Sequence, residues 1–126
     1  MAISLTTVTS LFKSNDTQAI YCGPPPHVSS ARLLTASATI NGACAAASSD
    51  NITIVHPTDS SAAIATGPVS AAGTEQIVTL TVTDATAAAH PFSSTEMALI
   101  TLPNCGAVTC PVQIQITWDD SGITSA

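Results

Sequence analysis

The feature that most constrains this chain is a period-two alternation of apolar and polar side chains, which recurs along most of its length. The clearest case is residues 112–118, where Val, Ile, Ile and Trp alternate with Gln, Gln and Thr. Successive side chains of a β-strand point to opposite faces, so this pattern predicts strands with one apolar and one polar face. No segment shows the spacing of an amphipathic helix with comparable clarity, so we predict a chain that is almost entirely β.

Eight segments carry strand patterns, and Pro, Gly and Asn turn residues separate them at the intervals typical of an all-β domain. The segments are residues 3–12, 19–22, 32–40, 51–56, 62–66, 75–84, 97–102 and 112–118. We therefore predict a single antiparallel β-sandwich, jelly-roll or Ig-like, with about eight strands and little or no helix. For the Ala-rich stretches 43–47 and 85–89 the flanking Gly, Ser, Asp and His-Pro favour loops, and short helical turns are the alternative.

The first strand is set apart from the rest of the chain by a polar turn, and a stiff triple proline follows at 24–26. We predict an N-terminal strand or arm, residues 1–18, and a β-sandwich domain over residues 19–126, and contact of the arm with a neighbouring subunit is one of two hypotheses for its role. The candidate contact residues of this arm are Ile3, Leu5, Val8, Leu11 and Phe12. A first strand that completes its own sheet remains the alternative, since most terminal strands pair within their own domain.

Charge excludes several classes of partner. The chain has 126 residues with two basic and eight acidic side chains, so its formal net charge is −6. Binding to nucleic acid or to an anionic membrane needs a basic surface, so neither partner is expected. The first nine residues alternate apolar and hydroxyl side chains, which predicts a strand instead of a secretory signal, and no apolar run is long enough to span a bilayer.

Four cysteines, an even number, permit a disulfide framework in a protein that works outside the cell. Cys105 and Cys110 enclose four residues between strand-like runs, a spacing that suits a disulfide across a hairpin turn. Free thiols are the alternative, and zinc is disfavoured because a second closely spaced cysteine pair is lacking. Cys22 and Cys44 are candidates for a bond with each other or with a neighbouring subunit.

Residues that could carry chemistry are few. His27, His56 and His90 are the general bases available near neutral pH, and with Asp59 or Glu96 they provide metal-ligand chemistry. Their spacing, however, would not present two ligands from a single strand or helix, so they are interpreted as loop residues at strand ends. We predict no catalytic residue, no metal site and no cofactor, and we do not expect an enzyme.

Other motifs are weaker still. No G-x-S-x-G nucleophile motif occurs, which removes the commonest signature of a serine hydrolase. Asp119 and Asp120 stand near Gly122, but the D-x-D-x-D-G pattern of a calcium loop is missing. We interpret these two carboxylates as solubilising charge at the end of a strand.

The shortage of lysine points to assembly. Natural sheets protect their open edges with Lys, Pro and inward charges, and this chain has one lysine, Lys13. We expect copies of the chain, or a repeated lattice, to cover the edges. The first hypothesis is a virion protein, a phage coat or capsid-decoration subunit. The alternatives are a subunit of a self-assembling extracellular or spore-surface filament, with strand exchange and disulfide cross-links, and a carbohydrate- or metal-binding adhesion module.

Overall fold

The computed structural model describes residues 3–12, 18–23, 30–41, 51–70, 75–93, 95–102 and 110–119. Within these residues the chain forms nine β-strands and one short helix. In chain order the elements are β1 (Ile3–Phe12), β2 (Gln18–Cys22), β3 (Ser30–Ile40), β4 (Asn51–His56), β5 (Asp59–Pro68), β6 (Gln76–Val82), α1 (Asp84–Ala89), β7 (Phe92–Ser93), β8 (Ala98–Leu102) and β9 (Cys110–Asp119).

The strands form an antiparallel sheet in the order β1-β9-β3-β6-β5-β4-β8-β2, and β7 pairs separately with β3. One half contains β1, β9, β3 and β6, and the other contains β5, β4, β8 and β2. Strands that follow one another in the chain lie mostly in opposite halves, and this is the strand order of a jelly roll. The halves stay joined where β5 pairs with β6, so the sheet is a curled half-barrel. The predicted all-β class is confirmed, but two separate sandwich sheets are not.

The concave face of the curled sheet holds the hydrophobic core. On β9 the apolar set of the alternating run is buried, while Gln113 and Gln115 on the opposite face are exposed, as predicted. Burying one large apolar side chain stabilises a fold by about 1.5–3 kcal/mol. The largest fully buried side chains are Trp118, Phe92, Leu33, Ile40, Ile52, Ile54, Ile64, Ile100, Leu102, Ile114 and Ile116.

All eight predicted strands occur, with ends that differ by a few residues at most. The structure adds β7, which is two residues long and therefore too short to show a periodic pattern. The predicted loop at 85–89 is wrong, because Asp84–Ala89 forms α1. The predicted loop at 43–47 lies outside the described residues.

Helix α1 forms because alanine has the highest intrinsic helix propensity and because one of its alanines, Ala87, is buried against the core. The Ala87 N–H donates to the Thr83 carbonyl oxygen at 2.9 Å, and Pro91 follows shortly after the helix end. The helix has only six residues. In the part of the chain that the structure describes, no helix has the length and apolar character needed to cross a membrane.

Candidate assembly edges and histidine cluster

The two ends of the strand order are β1 and β2, the first two strands of the chain. Within the described residues β1 pairs only with β9, and β2 pairs only with β8. Each strand therefore has one open edge, on which backbone N–H and C=O groups lack a partner strand in this part of the structure. β1 is ten residues long and β2 is five, so β1 offers the longer open edge.

The candidate arm residues all lie on β1, where they are in register with β9 of the same chain. Ile3 lies opposite Asp119, Leu5 opposite Thr117, Val8 opposite Ile114, Leu11 opposite Pro111, and Phe12 opposite Cys110. Here β1 completes the sheet of its own chain, which is the alternative that the sequence left open. Exchange of arm 1–18 between subunits, and its separation from a domain over 19–126, stay predictions.

Three features that commonly prevent edge pairing, charged side chains, prolines and bulges, are missing from both edge strands. The sequences of β1, ISLTTVTSLF, and β2, QAIYC, contain no charged residue and no proline. Their registers with β9 and β8 run without a shift. Both edges are therefore suitable templates for an additional strand.

The curl of the sheet brings its two ends toward each other. Some Cα atoms of β1 and β2 lie within 8 Å of one another. On the opposite side, the pairing of β5 with β6 joins the two halves to each other. Both open edges therefore border the same opening of the half-barrel.

Cys22 ends β2, and its side chain is buried in the core as a free thiol. Its Sγ lies 4.0 Å from the Gly23 carbonyl oxygen. Burial raises the pKa of the Cys22 thiol, which disfavours the thiolate that reacts in disulfide exchange. Cys110 is the first residue of β9, whereas Cys44 and Cys105 lie outside the described residues. The disulfides proposed for these four cysteines stay predictions.

His56 lies at the end of β4, as expected for a strand-end histidine, but its side chain is buried. Its Nδ1 accepts hydrogen bonds from the Thr58 N–H at 3.2 Å and the Thr58 hydroxyl at 2.8 Å. Its Nε2 therefore carries the proton and donates to the Pro91 carbonyl oxygen at 3.0 Å. The Glu96 carboxylate lies 3.5 Å from the same nitrogen, and the Phe92 ring centroid is 4.5 Å from the imidazole centroid.

His90 directly follows α1, and its ring centroid is 5.9 Å from that of His56. Its Nδ1 lies 2.9 Å from the Thr86 carbonyl oxygen, and its Nε2 lies 3.1 Å from an Asp59 carboxylate oxygen. Both partners are hydrogen-bond acceptors. His90 thus ties the end of α1 to the turn between β4 and β5.

Together His56, His90, Asp59 and Glu96 form a cluster, hereafter the histidine cluster, that fastens the β4–β5 turn to the segment from α1 to β8. Within the described residues no group of three or more His, Cys, Asp or Glu side chains is placed to hold a metal ion. Hydrogen-bonding groups of the protein lie beside the ring nitrogens of both histidines, which suits a structural role. The one sequence signal of this cluster was that proline follows each of its histidines. His27 lies outside the described residues.

The structure corrects the interpretation of Asp119 as a solubilising charge. The residue does end a strand, but its carboxylate is buried and pairs with Arg32 Nε at 3.3 Å instead of serving as solubilising charge. The physical reason is that β3 and β9 are neighbours, with Arg32 in register with Asp119. Ile3 of β1 is also in register with Asp119, so this ion pair lies where three strands meet. Asp120 lies outside the described residues.

Among known proteins, similarity to this chain is found in a solved structure and not in sequence families. No protein-family model matches the chain, and no curated protein matches it. A solved structure described as Bacillus endospore appendages that form a novel family of disulfide-linked pili is similar to this chain. The alignment has a TM-score of 0.45 and 14% sequence identity, and it covers 94% of this chain and 89% of that one. This likeness does not place the chain in that family.

Proposed function

We propose that this protein is a non-enzymatic structural subunit of a self-assembling extracellular filament, in which copies pair edge to edge through β1 and β2. The observation that carries this proposal is the pair of open, uncharged, proline-free edges at the two ends of the strand order. A protein that works as a monomer normally blunts such edges. The subunit needs no cofactor for this role.

Backbone hydrogen bonding supplies the attraction between copies. Alternate residues of an antiparallel edge strand direct their N–H and C=O groups outward, so a ten-residue strand such as β1 offers about five residues for pairing. A strand added from another copy would pair with these groups, as in other cases of β-strand addition. Because neither edge carries charge, this approach brings no like charges together along the two strands.

The two edges differ, and contact between them gives a filament or a ring of subunits instead of a dimer. When β1 of one copy pairs with β2 of the next, every copy uses both edges in one type of contact. Such a contact is heterologous, and heterologous contacts build rings or filaments depending on whether the rotation closes. Pairing of β1 with β1 would instead give a two-fold dimer and leave β2 open.

The expected location is outside the cell, on a spore or cell surface. The chain has only two basic residues, Lys13 and Arg32, and therefore only two sites for trypsin-like proteases. Disulfides such as the one predicted for Cys105 and Cys110 persist in that environment. The comparisons lend no support to the virion hypothesis, which predicts closed shells or binding to a preformed capsid instead of filaments.

The test compares the effect on filament formation of one lysine added on an edge strand and one added on an interior strand. Thr7 lies at the middle of edge strand β1, and Thr79 is exposed on the interior strand β6. Negative-stain electron microscopy of the purified wild type should show filaments. Thr7→Lys should abolish or strongly shorten them, because a lysine on an edge strand opposes pairing, whereas Thr79→Lys should leave them unchanged.

Ala19→Lys provides an independent test at the other edge, since Ala19 lies in β2. It should block assembly as Thr7→Lys does, with monomer melting temperatures close to that of the wild type. Lysine variants of both edges that still form normal filaments would refute the proposal. Closed shells in the wild-type preparation would favour the virion hypothesis instead.

A further inference from the structure

The outer surface of one half of the sheet carries a continuous apolar row. Tyr21 on β2 is in register with Leu99 on β8, and Leu99 is in register with Val55 on β4. Val55 is in turn in register with Ala63 on β5. These four residues, hereafter the outer row, cross four strands and span about 14 Å at the usual strand spacing.

The outer row faces away from the core. Tyr21 is 60% exposed, Ala63 is exposed, and Leu99 and Val55 are half-buried. Their sequence neighbours Cys22, Ile100, Ile54 and Ile64 are buried on the inner face. Met97 precedes β8, is 48% exposed and adds apolar surface beside the row. Its side chain lies next to Gly23, where a Cβ would be 3.6 Å from the Met97 Cγ.

The outer surface of the other half differs, which makes the outer row a distinct feature. Its described side chains are mainly Thr, Ser and Gln, and the hydroxyls of Thr35 and Thr117 hydrogen-bond to each other across β3 and β9. Ile77 on β6 is 70% exposed there, but its register partner is Thr39. Ile77 is therefore an isolated exposed apolar residue of the kind that is common on protein surfaces.

The charge around the outer row limits the kind of partner that fits it. The row and the next registered pair, Thr53 and Thr101, contain no charged residue. Arg32 is the one lysine or arginine among the described residues, and it pairs with Asp119 on the other half, so no described lysine or arginine beside the row would hold a phosphate or a lipid headgroup. Two copies that each carry a net charge of −6 repel through their acidic surfaces and meet at lowest cost through an uncharged apolar one.

We propose that the outer row is a second contact between copies of this chain, in which the rows of two molecules pack face to face. Four side chains cover less than the roughly 800 Å² per partner of a standard interface, so this contact alone gives a weak dimer. The row begins at β2, one of the two open edges, so an assembly can use edge and face together. This inference rests on the proposed function for the identity of the partner, and it adds lateral pairing of filaments to it.

The experiment measures dimerisation separately from edge assembly. Full-length protein carrying Thr7→Lys is studied by sedimentation velocity over a wide concentration range, so that pairing through β1 does not obscure the face contact. A weak dimer is expected. Leu99→Thr, and independently Tyr21→Thr, should raise its dissociation constant at least about tenfold, since an isologous contact loses the side chain twice. Ile77→Thr, the matched control on the other half, should leave the dissociation constant unchanged.

Dimerisation tests the outer row, whereas filament formation tests the proposed function, so the two can fail separately. A dimer that is lost with Leu99→Thr supports the outer row even where the wild type forms no filaments. A strictly monomeric protein at every concentration overturns the inference while leaving edge-built filaments possible. Equal weakening by Ile77→Thr and Leu99→Thr also overturns it, because exposed apolar area in general would then drive the association.

Discussion

At the scale of single residues, the least expected arrangement is the contact between Glu96 and its neighbours. The Ser93 N–H donates to the Glu96 carboxylate at 2.9 Å, and this bond is the main reason why the pKa of Glu96 lies below its usual range. Burial opposes the shift, and the nearby His56 ring reinforces it. The carboxylate thus holds the start of the β7–β8 connection in place while it is ionised.

The lowered pKa of Glu96 predicts an acid-sensitive contribution to stability. A carboxyl group whose pKa is lower in the folded than in the unfolded state stabilises the fold above the unfolded value, about 4.3 for glutamate, and this contribution disappears as pH falls through the folded value. Glu96→Gln keeps an oxygen for the Ser93 N–H but has no charge. The wild type should therefore be the more stable protein at neutral pH, and the gap should shrink on acidification. Urea unfolding of both proteins from neutral to acid pH measures this, and a constant gap would contradict it.

The sequence alone offered these residues as candidates but not as a cluster. His90 and Asp59 are 31 positions apart, and His56 and Pro91 are 35 apart. Their proximity depends on how the β4–β5 turn and the helix pack together, which no local spacing encodes. The same holds for Arg32 and Asp119, which are 87 positions apart.

At the scale of elements, the junction of β5 with β6 decides that the sheet is a curled half-barrel. The two strands pair through Ala65 with Val82 and Thr66 with Thr81. Gly67 follows directly, and a Cβ there would lie 3.0 Å from both the Thr79 carbonyl oxygen and Val78 Cγ1. Glycine lets the two strands approach closely at this corner, which is a recognised use of glycine within strands.

Gly67→Ala should destabilise the protein by about 1–3 kcal/mol, because the added methyl group overpacks the β5–β6 junction. Thr66→Ala, at the adjacent exposed position of the same strand, is the control and should change stability by less than the glycine substitution. The urea midpoint at constant denaturant slope measures both effects. A Gly67→Ala protein as stable as the wild type would show that the strands separate at this corner without cost.

At the scale of the whole molecule, charge opposes the assembly that the open edges favour. Copies with a net charge of −6 repel one another, although neither edge strand is charged. Salt screens this repulsion, and the Debye length falls from about 10 Å at 0.1 M to about 3 Å at 1 M. The free-energy barrier to association should therefore fall with ionic strength.

Filament growth followed by light scattering should thus be faster in high salt than in low salt. Asp84→Asn removes one exposed negative charge at the start of α1, away from both edge strands, and should also speed growth in low salt. The difference between this variant and the wild type should narrow as salt is added. Growth that slows with salt would mean that ion pairs between copies drive assembly instead.

The sequence by itself determined the strand content and the polarity of each strand's two faces. Side-chain alternation is a local property of an extended backbone, so Ile114 and Gln115 reveal their opposite faces without reference to the rest of the chain. Only the tertiary structure decided that β1 and β2 are the edges, that Tyr21 and Val55 share a row through Leu99, and that the halves stay joined. Strand neighbours are chosen by pairing and core packing summed over the whole chain, and a strand's own pattern is compatible with an edge or an interior position.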